Sequence, residues 1–172
     1  QAVMKTLTNI SAYPDYVQKL LALFAEDTSE EVSEQKEIKY PLYSKDDFLN
    51  EVYMDEDTYN TLTELLEAKY NVILQGAPGV GKTFAAKRLA YSIMGHKDTS
   101  RVAMVQFHQS YSYEDFIQGY RPSKDGFELE NGTFYKFCKE AEEDNERPYF
   151  FIIDEINRGN LSKIFGELMM LI

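Results

Sequence analysis

The stretch of this 172-residue chain that most restricts its fold is Gly76-Ala77-Pro78-Gly79-Val80-Gly81-Lys82-Thr83. Its spacing is G-x-x-x-x-G-K-[ST], and its glycines let a backbone wrap a phosphate closely without Cβ clashes. Successive N–H groups then face inward as an anion nest, and a following helix directs its positive end to the same point. This works only between a strand and a helix, and the flanks comply. NVILQ (71–75) is short and β-prone. KTFAAKRLAYSIMG (82–95) sets Phe84, Leu89, Ile93 and Met94 on a broad apolar face, with Gly95 to end it. In such a loop Lys82 reaches the β- and γ-phosphates of a nucleotide, and the Thr83 hydroxyl ligates Mg²⁺.

A phosphate-bound Mg²⁺ needs a further hard oxygen, and a second stretch supplies one. YFFII (149–153) is apolar throughout, as expected of a parallel strand covered on both faces, and runs straight into Asp154 and Glu155. Asp154 at such a strand tip supports the metal, directly or through water. Glu155 accepts a proton from the water that attacks the γ-phosphate. A strand ending in two acids says little alone; together with 76–83 it points to hydrolysis.

The rest of this half fits an α/β pattern. RVAMVQF (101–107) reads as a strand and SYEDFIQGY (112–120) holds a short helix. GFELENGTF (126–134) alternates around Asn131-Gly132, a two-residue hairpin signal. YKFCKEAEED (135–144) is helical. NLSKIFGELMMLI carries Leu161, Ile164, Phe165, Leu168, Leu171 and Ile172 on one helical stripe, with Asn160 as its cap. Strand, helix, strand, excursion, helix, strand, helix implies a parallel sheet with right-handed crossovers.

Residues 1–70 differ in character. They hold 15 acids against 6 lysines, a net charge of −9, whereas the remainder is nearly balanced. PDYVQKLLALFAED (14–27) has helical periodicity, TSEEVSEQKE (28–37) reads as a solvated linker, and Ser44 caps the first of two short helices at about 45–53 and 56–68. The chain thus divides into an acidic helical segment, 1–70, and a nucleotide-binding part, 71–172. Its overall charge of −11 argues against a generic nucleic-acid binder held by a basic surface. The single Cys138 excludes an internal disulfide and reads as a buried small side chain. With no signal peptide or membrane span visible, a cytoplasmic protein is expected. His108, in QFHQSYSY, reads as a packed or hydrogen-bonded histidine. Tyr111, Tyr113 and Tyr120 read as packing residues rather than a base-stacking platform.

GAPGVGKT with FFIIDEINRGN resembles the AAA+ ATPases. VQFHQSYSYEDFIQGYRP (105–122), GFELENGTFYKFCKEA (126–141) and IIDEINRGNLSKIFGELMMLI (152–172) further resemble the McrB-like branch, the motor subunits of 5-methylcytosine-specific restriction systems. The resemblance covers about 71–172. It implies a P-loop NTPase sheet flanked by helices and preceded by a small helical segment. Gly76 to Thr83 would be the phosphate loop, with Lys82 and Glu155 catalytic and Thr83 and Asp154 at the metal. GTP or ATP would be the substrate and Mg²⁺ the cofactor. It also implies a homo-oligomeric ring, a McrC-like endonuclease partner, and DNA contacted through other domains or that partner. Asn157 and Arg158 fall in a segment that tends to face a neighbouring subunit in such rings.

The family pattern continues past Ile172 with a sensor, more strands, an arginine finger and a helical lid. The sequence therefore reads as an AAA+ domain incomplete at its C-terminus. By the same analogy, its sheet should lack a strand between those ending at Gln75 and Ile153. Other readings stay open: a protein-remodelling or chaperone ATPase of the dynein-related branch, a module that only binds nucleotide, or, more weakly, a small-molecule kinase.

Overall fold

A computed structural model of the chain describes residues 3–9, 40–124 and 126–170. The helix expected at 14–27 and the linker at 28–37 lie outside these residues.

Strand β1 (Val3–Asn9) precedes helices α1 (Lys45–Glu51) and α2 (Glu56–Lys69). Then come β2 (Asn71–Gly76), α3 (Lys82–Met94), β3 (Val102–Gln106) and α4 (Tyr113–Phe116). A hairpin of β4 (Gln118–Ser123) and β5 (Gly126–Asn131) leads to α5 (Thr133–Glu143) and β6 (Phe150–Asp154). A 3₁₀ turn η1 (Ile156–Arg158), helix α6 (Leu161–Phe165) and a 3₁₀ segment η2 (Gly166–Met170) follow.

The main sheet has the order β2-β1-β6-β3. β3 pairs parallel with β6, and β1 is antiparallel to both β2 and β6, so β2, β6 and β3 share one direction. The slot between the phosphate-loop strand and the acid-bearing strand is therefore filled. Its occupant is β1, from the segment read as helical and lying before the sheet. Val3 sits opposite Gly76 and Thr6 opposite Ile153. With one strand between them, β2 and β6 stand about 10 Å apart.

β6 is buried on both faces, which accounts for its unbroken apolar run. Phe150 and Ile152 join a cluster with Phe48, Tyr59, Leu66, Ala86, Leu89 and Ala90, under α1, α2 and α3. Phe151 and Ile153 join the opposite cluster with Phe107, Phe116, Phe137 and Ile164. Aromatic rings dominate that second side: Phe116 stacks on Phe134 with centroids 4.8 Å apart, and meets Phe151, Phe165 and Phe107 edge-on. Cys138 lies in this cluster, where burial pushes its thiol up to about 12. Ser44 caps α1 as expected, closing a capping box with Asp47. Glu51 on α1 binds Arg88 of α3 at 2.7 Å and Lys97 at 3.2 Å, which docks the α1 layer on the helix behind the phosphate loop.

Besides the filled slot and the antiparallel β1, two further expectations are corrected. The hairpin turns between Ser123 and Gly126, not at Asn131-Gly132. Gly132 instead leads into α5, with its N–H donating to the Ile117 carbonyl at 2.5 Å. A Cβ there would stand 2.4 Å from the Phe116 carbonyl carbon, so close backbone approach is what selects glycine. The C-terminal helix is also not continuous. It ends at Gly166 (φ 51°) and tightens into η2, keeping Ile164, Phe165 and Leu168 buried.

A buried ion pair anchors the start of β6. Arg101 Nε lies 2.6 Å from Asp98 Oδ2, with both side chains nearly inaccessible, and the Arg101 carbonyl accepts the Phe150 N–H at 2.9 Å. Burial raises the Asp98 carboxyl, but hydrogen bonds from Ser100 and Arg101 outweigh it and hold the group below its ordinary value. Because the folded value is the lower one, this stabilisation is complete above the unfolded pKa of about 4 and is lost as pH falls through the folded value. Resistance to urea should fall on going from about pH 5 to about pH 3. Asp98→Asn should cost about 3 kcal/mol at neutral pH and flatten part of that acid slope. Parallel slopes in both proteins would remove Asp98 from the acid response.

Candidate functional site

The site is built where β2 and β6 end on the same edge of the sheet, as parallel α/β sheets place their ligands. β2 delivers the loop 76–83. Gly79 and Gly81 both take φ of +80°, a conformation in which a side chain is strained, so the loop's curvature depends on these glycines. α3 then starts at Lys82 with no side-chain cap and no acid in its first turn. Its first N–H groups are left for a ligand, and the helix dipole adds positive potential at the loop.

Lys82 is half-buried, and its ammonium folds back onto the loop, donating to the Gly76 carbonyl at 3.0 Å and the Ala77 carbonyl at 2.5 Å. A cation is thus stored beside the nest, held by neutral carbonyls that a phosphate can replace. Next to it, the Thr83 hydroxyl donates to Asp154 Oδ2 at 3.3 Å. This contact spans the width of β1 and joins loop to strand tip. The tip itself is fixed, since the Phe107 N–H donates to the Asp154 carbonyl at 2.9 Å.

Thr83 and Asp154 offer adjacent hard oxygens, the donor type that Mg²⁺ prefers. Among the described residues no group of three or more His, Cys, Asp or Glu could hold a metal. An ion between Thr83 and Asp154 would complete its shell from phosphate and water, so these residues fit a metal that arrives with its nucleotide.

Glu155 follows Asp154 in a left-handed conformation (φ 53°, ψ 40°) and is mostly shielded. It lines a cleft of about 700 Å³ with Pro78, His108, Gln109, Ser110, Asn157 and Arg158. Loop and both acids therefore meet at one edge. The sequence reading left His108 and Gln109 outside the site; both are exposed at the cleft. His108 contacts Tyr111 edge-on at 5.4 Å instead of packing in the core. The signal that could have found them is their place just beyond β3, at the same sheet edge. Tyr111 and Tyr113 pack against the core, as expected, whereas Tyr120 on the hairpin is exposed. Among the described residues no helix is long and apolar enough to cross a membrane.

The profile of the AAA domain (dynein-related subfamily) matches residues 71–172. The chain is similar to the type IV methyl-directed restriction enzyme EcoKMcrB subunit of Escherichia coli (strain K12). The two are 60% identical over 129 residues, 75% of this chain and 28% of that protein. It is also similar to the type II restriction enzyme BsuMI component YdiS of Bacillus subtilis (strain 168), with 29% identity over 129 residues, 59% of this chain and 37% of that protein. The chain spans about a third of the length of these curated relatives.

Proposed function

The chain belongs to the AAA domain family, in its dynein-related subfamily, and from that premise we propose that it binds a nucleoside triphosphate with Mg²⁺ and hydrolyses it. The observation that carries this reading is the Thr83–Asp154 contact, which ties the phosphate loop to the acidic strand tip. The loop N–H groups and Lys82 bind the phosphates, with Lys82 exchanging its two carbonyl partners for phosphate oxygens. Thr83 and Asp154 would hold the metal, which when bound would neutralise phosphate charge. Glu155 takes a proton from water as the new oxygen–phosphorus bond forms, while the β–γ phosphoanhydride bond breaks and the charge passes to the leaving diphosphate.

The client is inferred from kinship. Similarity to two restriction-enzyme components supports a motor subunit of a modification-dependent DNA restriction complex, acting as a ring with a McrC-like endonuclease. The subfamily match by itself also accommodates a protein-remodelling ATPase. Phosphate release from GTP and from ATP, with and without EDTA, tests the hydrolytic reading; a metal-dependent rate is expected. Stimulation by a McrC-type endonuclease and methylated DNA would support the restriction role. Stimulation by an unfolded or oligomeric protein client instead would favour remodelling.

A further inference from the structure

Among the described residues β3 pairs only with β6, so its outer edge carries no strand. The Arg101 carbonyl accepts the Phe150 N–H, and the Phe107 N–H donates to the Asp154 carbonyl, both at 2.9 Å. With Val102 opposite Phe150 and Gln106 opposite Asp154, the odd-numbered residues of this strand turn their backbone groups toward β6. Val102, Met104 and Gln106 turn theirs outward. The Val102 N–H meets the Thr99 carbonyl at 3.5 Å. An exposed strand edge invites another strand, and proteins commonly protect one with charge or proline. Val102-Ala103-Met104-Val105-Gln106 has neither.

Met104, 41% exposed, is the middle residue of this five-residue strand. A strand whose middle residue points its backbone outward can pair antiparallel with its own copy about a two-fold axis through that residue. The Met104 N–H then reaches the facing Met104 carbonyl and the reverse, and at each end the Gln106 N–H reaches the facing Val102 carbonyl. No charge on the strand opposes its like in such a pair. Alongside the edge, a groove of about 280 Å³ lies between β3 and α5, lined by Val102, Ala103 and Phe137 and flanked by Lys136 and Glu140. These two charges stand about one turn apart on α5. A two-fold axis that lays α5 antiparallel to its counterpart can set Lys136 of one copy toward Glu140 of the other.

We infer that the outer edge of β3 docks a second copy of this chain, whose β3 pairs with it antiparallel, Met104 facing Met104. The sheet then continues across both copies, independently of what the loop at 76–83 binds. A five-residue strand pair lies at the small end of specific interfaces, at most about 1,200 Å² in total, so the association is weak.

Sedimentation velocity of the nucleotide-free chain from about 10 μM to about 1 mM should show monomer passing into dimer. Met104→Lys and Met104→Glu should each stay monomeric alone, because each sets like charges face to face. Mixed in equal amounts, they should dimerise. Should either variant fail to fold, amide exchange in the unaltered chain decides. For a Kd of about 100 μM, exchange at Met104 and Gln106 should be about fourfold slower at 1 mM than at 10 μM, while Val105, bonded to β6, should not respond. Monomer throughout the range overturns the proposal. So does dimerisation of either variant alone, which would place the contact elsewhere, and so does a mixture that stays monomeric. Exchange at Met104 as slow at 10 μM as at 1 mM would mean that the chain's own residues cover the edge, and overturns it too.

Discussion

Lys82→Ala should leave a folded chain that no longer holds a Mg²⁺-triphosphate. Two charge-assisted bonds to phosphate, worth about 1.5–3 kcal/mol each, would go, and affinity should fall by about two to four orders of magnitude. The fold should survive, because the ammonium's partners in the structure are the Gly76 and Ala77 carbonyls of an exposed loop. Titration of a fluorescent triphosphate checks the loss, and thermal unfolding without nucleotide checks the fold. Equal affinity in both proteins would mean that the loop is not the phosphate cradle.

Glu155→Gln should separate binding from chemistry. Glutamine has nearly the same shape, so the cleft and the nearby Thr83–Asp154 contact should persist. It cannot accept the water's proton, and turnover should drop by about 10²- to 10⁴-fold while triphosphate affinity stays within a few-fold. Single-turnover phosphate release with a pre-bound triphosphate measures this directly. Unchanged release would take Glu155 out of the mechanism.

Much of the site is legible in the linear chain because phosphate chemistry imposes local rules. Glycine at 79 and 81 is demanded by the backbone conformation, and the neighbouring Lys82 and Thr83 are positioned by the first turn of α3. The apolar run before Asp154 likewise announces a strand covered on both sides, and Phe150–Ile153 are indeed split between two cores. Local signals misled where a distant contact outweighed them. Asn131-Gly132 has hairpin chemistry, yet Gly132 is selected by its approach to the Phe116 backbone across the base of the β4–β5 hairpin. The stripe through 161–172 has helical period, but Gly166 lets the chain tighten so that Leu168 still reaches the core.

The sequence by itself determined the kind of site: a glycine cradle, a lysine, a hydroxyl and two acids at a strand tip, each dictated by residues adjacent in the chain. Only the tertiary structure decided how these parts meet, through β1 lying between β2 and β6 and the Glu155–Arg158 pair bridging one turn over the cleft. Strand insertion joins residues 63 to 147 positions apart, and its pairing follows from which backbone groups remain unsatisfied once the sheet assembles. No local pattern carries that information.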